Sequence, residues 1–196
     1  ASGLQDFTDS MWQRAPYAFA LVALATLVLL FLMTGSVVIP VKALLLNVVS
    51  LGASLGIIVW VFQHGNLQGL LGFSSVGAVE STIPLLVLAF GFGLSMDYEV
   101  FLLSRIVELH DRGHSNDAAV VLGLQRSGRI ITSAALLVVI VFSGFVAGKL
   151  LVIKETGVGL ATAVALDATL VRMLLVPATM TLLGDFLDPE EFAFAL

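Results

Sequence analysis

The sequence predicts an all-α integral membrane protein with five transmembrane helices. Of its 196 residues, 59% are hydrophobic and 12% are charged, and the mean hydropathy is +1.06. A soluble domain is typically about 45–50% apolar and about 25% charged, so this composition favours a lipid environment. Several apolar runs reach the roughly 20 residues that one helical crossing of the hydrocarbon core requires. No segment alternates polar and apolar residues for long enough to suggest a strand.

The sequence divides into apolar runs that are separated by polar connections. We predict a transmembrane bundle over residues 17–184, after the end of an extracytoplasmic region at 1–16 and before an acidic cytoplasmic tail at 185–196. The five spans are predicted at residues 17–35, 41–62, 82–104, 130–147 and 156–183.

Local sequence features support the first two spans. Trp12, Arg14 and Tyr17 lie at the start of the first one, where aromatic and charged side chains anchor helices at a membrane surface. Gly52 and Gly56 in the second span have the spacing that permits close contact between membrane helices. Chance occurrence in a glycine-rich chain explains that spacing equally well.

A charge-rich stretch at residues 105–129 separates the third and fourth spans. Ser115 suits a helix N-cap, Asp117 suits the first helical turn, and Arg126 suits the last. The apolar residues between them recur at helical spacing. We therefore predict a short surface helix on the cytoplasmic side.

The basic residues predict the orientation of the bundle. On the side of the connections after the first and third spans there are five: Lys42, Arg105, Arg112, Arg126 and Arg129. On the opposite side there are three: Arg14, Lys149 and Lys154. Cytoplasmic loops carry an excess of lysine and arginine. The N-terminus is therefore expected outside and the acidic tail in the cytoplasm.

Besides Lys42 at the very start of the second span, which we count with the connection before it, four ionisable residues fall within the predicted spans. These are Asp97, Glu99, Asp167 and Arg172. Each costs at least about 2.5–3.5 kcal/mol to insert into a membrane, and such groups usually face the bundle interior or a water-filled path. They are the candidate functional residues of the chain.

Asp97 is the strongest candidate for a group that carries protons. Gly93 lies four residues earlier on the same helical face, and together with Gly91 it removes side-chain bulk, so another helix could approach closely. A carboxyl group in such a place can take up and release a proton, and the hydroxyl of Tyr98 can donate to or accept from it. The alternative is that Asp97 forms a structural hydrogen bond between helices.

The other three ionisable residues allow structural readings. Glu99 is turned about 200° from Asp97 around an α-helix. We expect it to extend towards the interface or to pair with Arg172, in either case with a structural role. Asp167 and Arg172 are five residues apart, about 140° around an α-helix, and so are poorly placed to pair with each other. Asp167 with a partner on another helix is either a second relay point or a structural pair.

Charge and residue types exclude several other functions. The net charge of −5 argues against binding of nucleic acid, which selects basic surfaces. The chain has no cysteine, so it has neither disulfides nor thiolate metal sites. His64, His110 and His114 are predicted to lie in loops without a matching set of ligands. We predict no catalytic residue, no metal and no cofactor other than the proton as coupling ion.

Four motifs occur in a recognisable order along the second half of the chain. They read GFGLSMDYEVFLLSR at 91–105, GRIITSAA at 128–135, GVGL at 157–160 and LDATLVRM at 166–173. In this order they resemble the second membrane half of MmpL-type transporters, in the resistance–nodulation–division (RND) superfamily. The likeness covers most of residues 85–184, whereas residues 17–62 match in hydropathy alone.

The resemblance implies an exporter of lipids or other hydrophobic molecules in the bacterial inner membrane, driven by proton flow. Such transporters have two pseudo-repeated halves of six membrane helices, with a periplasmic domain after the first helix of each half. The five spans here would be the last five helices of the second half. By the same resemblance, Asp97 and Tyr98 would form this half's part of the proton relay, opposite an equivalent pair on the missing N-terminal half. Membrane lipids, the substrate and that missing half are the expected partners.

Two other functions compete with this one. Intramembrane aspartyl proteases use one aspartate on each of two helices, and Asp97 and Asp167 would supply them here. The motifs around these residues differ from the Tyr-Asp and Gly-x-Gly-Asp pairs of those enzymes, which makes the reading a minor one. The third possibility is a membrane subunit that does not itself transport.

Overall fold

The computed structural model describes residues 2–182, and this part of the chain is helical with no strands. The long helices are α1 (Ser2–Thr34), α2 (Val38–Ile58), α4 (Thr82–Asp111), α5 (Asn116–Phe145) and α6 (Leu151–Leu166). The short helices are α3 (Gln68–Leu71) and α7 (Val176–Leu182). Two π-helical segments extend longer helices: π1 (Val59–Gln63) follows α2, and π2 (Asp167–Leu175) joins α6 to α7. The all-α fold class is confirmed.

Five helical stretches in the described residues are long and apolar enough to cross a membrane. They cover Ser10–Thr34, Val38–Gln63, Thr82–Asp111, Asp117–Phe145 and Leu151–Met180. Their number and order agree with the five spans that the apolar runs predict. The predicted tail at 185–196 lies outside the described residues.

The predicted short surface helix is not a separate element. Its N-cap is confirmed, because the Ser115 side chain accepts a hydrogen bond from the backbone N–H of Ala118. From there α5 runs without interruption to Phe145, so the surface segment and the fourth span form one helix. No proline interrupts this stretch, and Ala119, Val120 and Ile131 pack into the same apolar core, which keeps the helix continuous.

Two further expectations change with the structure. Gly52 and Gly56 face open space within the described chain, so their spacing produces no close helix contact here. Lys42 and Lys154 lie inside helices and are buried, not in connecting loops. They therefore no longer count as loop charges in the orientation argument.

The largest apolar core brings α2, α4 and π2 together. It contains Ala43 of α2, Leu102 and Leu103 of α4, and Val171 of π2, all of them buried. Leu102 and Leu103 follow Glu99 by three and four residues, so that core and Glu99 share one face of α4. The core thereby holds the charged residues of α4 next to π2.

Two glycines of α6 permit close contact with the neighbouring helices. A Cβ atom at Gly157 would lie 2.7 Å from the carbonyl oxygen of Phe142 in α5. A Cβ atom at Gly159 would lie 2.7 Å from side-chain atoms of Ile58 and Val87. Since real Cβ atoms do not approach so closely, these glycines set the distance between α6 and its neighbours.

The exterior of the bundle is apolar and its interior carries charges. Leu32 in α1 and Leu137 in α5 are 77% and 63% exposed, whereas Arg172 is 2% exposed. This distribution is the reverse of the one in a soluble domain. It fits a bundle whose outer surface contacts lipid.

The first turns of α6 hold the long connection between π1 and α4. Lys154 Nζ donates to the carbonyl oxygens of Leu71 and Gly72 at the end of α3. Glu155 Oε2 accepts a hydrogen bond from the backbone N–H of Glu80 at 3.2 Å, just before α4. The middle and the last part of the connection are thus tied to the helix that leads into π2.

Candidate functional site

The centre of the site is a buried ion pair between Asp167 and Arg172 in π2. Arg172 Nε donates to Asp167 Oδ2 at 2.7 Å, and Arg172 Nη2 lies 2.6 Å from the same oxygen. The other oxygen, Asp167 Oδ1, accepts a hydrogen bond from Ser95 Oγ of α4 at 2.6 Å. Both carboxylate oxygens are therefore satisfied inside the bundle.

The π-helical geometry explains why these two residues pair. The expectation that Asp167 and Arg172 are poorly placed for each other is wrong, because it assumes an α-helix. In a π-helix the N–H of residue i+5 bonds to the carbonyl of residue i, so residues five apart stack on one face. The backbone N–H of Val176 bonds in this way to the carbonyl of Val171. The local change in helix type thus places the guanidinium on the carboxylate.

Arg172 also joins π2 to α4. Its Nη2 donates to the backbone carbonyl of Ser95 and to Ser95 Oγ, the latter at 3.2 Å. Its Nη1 lies 3.7 Å from Glu99 Oε2, and Glu99 is 4% exposed. The predicted pairing of Glu99 with Arg172 is therefore confirmed, and the alternative that Glu99 extends to the interface is wrong.

Tyr98 contacts the same guanidinium through its ring. The guanidinium carbon of Arg172 lies 5.3 Å from the centroid of the Tyr98 ring, which is within the range of a cation–π interaction. Tyr98 is partly buried, so one side of its ring faces Arg172 while the residue keeps access to the surface of α4. The tyrosine lies between the buried charges and the outer face of the helix.

Asp97 lies on that outer face. It is exposed, and within residues 2–182 it forms no hydrogen bond or ion pair. Gly93, one turn earlier, is also exposed and has open space around its Cα, whereas a Cβ atom at Gly91 would lie 2.6 Å from Leu51. Of the two glycines that the sequence singles out, Gly91 accommodates a helix of this bundle, and Gly93 leaves room beside Asp97 for something outside it.

Four residues of one helical stretch therefore have distinct positions around α4. Ser95 and Glu99 are four residues apart and point inward to Arg172, while Asp97 between them points outward. Tyr98 contacts Arg172 from the side. The stretch thus directs polar side chains inward, sideways and outward within little more than one turn of helix.

The arrangement does not form an aspartyl dyad. Asp97 is exposed, and both oxygens of the buried Asp167 are already engaged by Ser95 and Arg172. Two aspartates that share a catalytic water would have to face each other with free oxygens. The part of the chain that the structure describes also contains no group of three or more His, Asp or Glu residues that could hold a metal ion.

Two residues of the site escape the sequence reasoning. Ser95 donates to Asp167, and its position four residues before Glu99 is a signal that both share one helix face. Lys42 is 7% exposed, and its neighbour Ala43 packs with Leu102 and Leu103, which share one face of α4 with Glu99. The sequence assigns Lys42 to a loop because it lies close to the polar connection after α1.

Comparison with known proteins identifies the family. The family model for MMPL matches residues 1–192, nearly the whole chain. The chain belongs to the MMPL family. This agrees with the resemblance that the motifs around Asp97, Tyr98, Asp167 and Arg172 carry.

MMPL relatives are identical to this chain at close to half of the aligned positions. A membrane protein of Streptomyces coelicolor is 50% identical over 184 residues, which cover 94% of this chain. The trehalose monomycolate exporter MmpL3 of Mycobacterium tuberculosis is 43% identical over 92% of the chain. The mycolic acid-containing lipids exporter MmpL11 of Mycolicibacterium smegmatis is 45% identical over 91% of the chain.

The chain spans a minor part of these MMPL proteins. The matched region is 26% of the Streptomyces protein and 19% of each of the two mycobacterial exporters. MMPL proteins are membrane transporters, and the two named exporters carry lipids. The comparisons therefore agree with the prediction that this chain is not an enzyme.

Proposed function

We propose that this chain is one membrane half of an exporter of lipids or other hydrophobic molecules, driven by proton flow. The observation that carries the proposal is the position of Asp97. An unpaired carboxyl is exposed on a face of α4 with open space at Gly93, while its helix is fastened to a buried ion pair behind it. An exposed carboxyl at membrane depth is costly, so such a group normally faces a partner or a water-filled path.

Asp97 and Tyr98 are the proposed proton relay of this half. Asp97 exchanges the proton, and the Tyr98 hydroxyl hands it on or orients it, because a phenol can both donate and accept. Asp167, Arg172 and Glu99 hold Tyr98 and α4 in position through the contacts of Arg172 with Tyr98 and Glu99. Asp167, with both oxygens bonded, is better suited to structural support than to a second relay step.

The proposed partner of this chain is a second membrane half with extracytoplasmic domains. Coupling residues of two-half transporters lie at the interface between the repeats. The exposed face with Gly93 and Asp97 supplies one side of such an interface. The greater length of the relatives leaves room for the other side and for domains that contact substrate.

The proposed location is the bacterial plasma membrane, with the N-terminus outside and residues 105–129 in the cytoplasm. With Lys42 and Lys154 buried in helices, one lysine drops out on each side of the count. The exposed residues that remain on the cytoplasmic side are Arg105, Arg112, Arg126 and Arg129. Those on the outer side are Arg14 and Lys149, so the positive-inside bias keeps its direction.

The test compares Asp97→Asn with Asp111→Asn in the native full-length protein. Asp111 is an exposed carboxyl at the end of the same helix and serves as the matched control. Each variant is expressed at matched membrane abundance in a strain that lacks the transporter. Lipids extracted from the cell surface are compared by mass spectrometry, and proton uptake is measured in liposomes with an entrapped pH-sensitive dye.

We expect Asp97→Asn to abolish both export and proton uptake, because an amide keeps the shape of the side chain but cannot titrate. Asp111→Asn should leave both unchanged. Near-normal export and proton uptake by Asp97→Asn would contradict the relay. If Asp97→Asn and Asp111→Asn both keep normal export and proton uptake, the chain is better described as a membrane subunit that does not itself transport.

A further inference from the structure

Lys42 is a buried cation that the relay does not use. It lies near the start of α2 and is 7% exposed. Its Nζ donates no hydrogen bond to any of the described residues. A buried ammonium without a partner costs several kcal/mol, so its retention in an apolar core requires a compensating negative charge.

Glu99 is a buried acid on α4, the helix that packs against α2. Arg172, the other buried cation of this core, lies beside Glu99. Glu99 Oε2 lies 3.7 Å from Arg172 Nη1, which is too long for a hydrogen bond. Glu99 Oε1 has no hydrogen-bond partner among the described residues. The structure thus has a buried donor in α2 and a buried acceptor in α4, each free to bond.

The packing around the two residues keeps them near each other. Ala43, next to Lys42, lies in the same core as Leu102 and Leu103, which share the inward face of α4 with Glu99. Val171, next to Arg172, belongs to that core as well. The three helical segments that carry Lys42, Glu99 and Arg172 are therefore in direct contact.

The distribution of contacts explains why a second cation is needed. The Nε and Nη2 groups of Arg172 bond to Asp167 and Ser95, and only Nη1 is directed to Glu99. Arg172 alone would have to neutralise two buried carboxylates. With Lys42 included, the buried charges of the site are Asp167, Glu99, Arg172 and Lys42, which balance.

We infer that Lys42 is a positioning residue for the relay. It neutralises Glu99 from the α2 side, so that Arg172 can keep its ion pair with Asp167 and its contact with the Tyr98 ring. The inference rests on the proposed function, since positioning has a consequence for transport only if Asp97 and Tyr98 carry protons. Without Lys42, Glu99 would draw Arg172 away from Asp167 and from the Tyr98 ring. Removal of the Glu99 charge should then relieve the loss of Lys42.

The test is a double-mutant cycle in the native full-length protein. The variants are Lys42→Met, Glu99→Gln and the double variant, with Lys42→Arg as the substitution that keeps the charge. Lys154→Met is the matched control, because Lys154 is equally buried at 8% exposure but bonds to backbone carbonyls. Thermal unfolding in detergent and export at matched abundance are both measured.

We expect Lys42→Met to lower export by about tenfold or more and to lower the unfolding temperature, because it strands a buried carboxylate. Lys42→Arg should keep most of the export, and Glu99→Gln should restore much of the stability and export that Lys42→Met loses. Glu99→Gln should bring no such relief to Lys154→Met. If Lys42→Met does not accumulate at all, accumulation of the double variant supports the inference.

Additive effects of Lys42→Met and Glu99→Gln on unfolding would overturn the inference, as would failure of the double variant to accumulate when Glu99→Gln alone does. The unfolding data do not depend on transport. A coupling between Lys42 and Glu99 in unfolding, together with normal export by Asp97→Asn, would contradict the proposed proton relay but support the pairing of Lys42 with Glu99. Absence of the coupling, with export lost in Asp97→Asn, would support the proton relay and contradict the pairing of Lys42 with Glu99.

Discussion

Asp97 and Glu99 lie two residues apart on α4 and have opposite environments, since Asp97 is exposed and Glu99 is 4% exposed. Two residues along an α-helix correspond to a turn of about 200°, which places the two carboxyls on opposite sides of the helix. The inward one faces Arg172, and the outward one is free within residues 2–182. The two acids of this motif therefore have separable effects on stability and on transport.

Neutralisation of these two carboxyls should affect stability differently. Glu99→Gln weakens the contact with Arg172 and should lower the free energy of unfolding by about 1–3 kcal/mol, the range for a weakened buried polar contact. Asp97→Asn removes no contact inside the described chain and should change it by less than about 0.5 kcal/mol. Unfolding of both variants in detergent measures the difference. A larger loss in Asp97→Asn than in Glu99→Gln would contradict the assignment of inner and outer faces.

Removal of the central cation should be far more damaging. Arg172→Ala leaves Asp167 as a buried carboxylate without a cation and Glu99 with Lys42 alone, which should cost about 3–5 kcal/mol. The expected result is a large drop in the amount of folded protein in the membrane. Arg105→Ala is the control, because its pair with Glu108 is exposed and such pairs contribute at most about 1 kcal/mol. Similar yields of the two variants would mean that the ion pair in π2 is not a main support of the bundle.

The approach of α5 and α6 should depend on Gly157. A methyl group there would lie 2.7 Å from the backbone carbonyl of Phe142, so Gly157→Ala must push the two helices apart. We expect a loss of about 1–3 kcal/mol, the usual cost of overpacking. Gly52→Ala in α2 has open space and should be neutral or slightly stabilising. Equal unfolding temperatures of the two variants would show that the helices are not in such close contact.

The sequence predicts the helices well and their mutual contacts less well. Long apolar runs determine the five spans, because only hydrocarbon accommodates them. Charged residues inside the spans identify Asp97, Glu99, Asp167 and Arg172 as the residues of interest, because their cost in lipid makes them conspicuous. The continuity of α5 is harder to foresee. A polar helical stretch at a membrane surface has the same sequence pattern whether it ends before the next span or continues into it.

The pairing of Asp167 with Arg172 could not be predicted from their spacing. An α-helical count separates them, and only the π-helical hydrogen bonding of residues 167–175 brings them together. The same segment bonds to α4 through Arg172 and Ser95, a tertiary contact that spacing along one helix does not reveal. The burial of Lys42 could not be predicted for a related reason, since a lysine close to a loop is expected at the surface unless the packing of α2 is known.

The orientation of the bundle can be tested with single cysteines, because the chain contains none. Asp111→Cys at the end of α4 and Val76→Cys in the connection before α4 place a thiol at exposed positions beyond opposite ends of the same apolar span. We expect a membrane-impermeant maleimide to label Val76→Cys in intact cells and Asp111→Cys only after permeabilisation. The arginines near Asp111 give this direction through the positive-inside bias. The opposite labelling pattern would reverse the orientation that we propose.

The exposed carboxyl of Asp97 should make the chain behave differently alone and within the full-length protein. Expressed by itself, the chain would present Asp97 to lipid, at a cost of about 2.5–3.5 kcal/mol on insertion scales. Asp97→Leu removes that cost and should raise the membrane abundance of residues 1–196 expressed alone. The same substitution in the full-length protein should abolish export, because the carboxyl is then needed by the partner face. Glu99→Leu is the control: it disrupts a buried ion pair and should lower abundance in both settings. Reduced abundance of the isolated Asp97→Leu chain would mean that Asp97 stabilises this bundle from within, and the proposed interface would then have to lie on another helix.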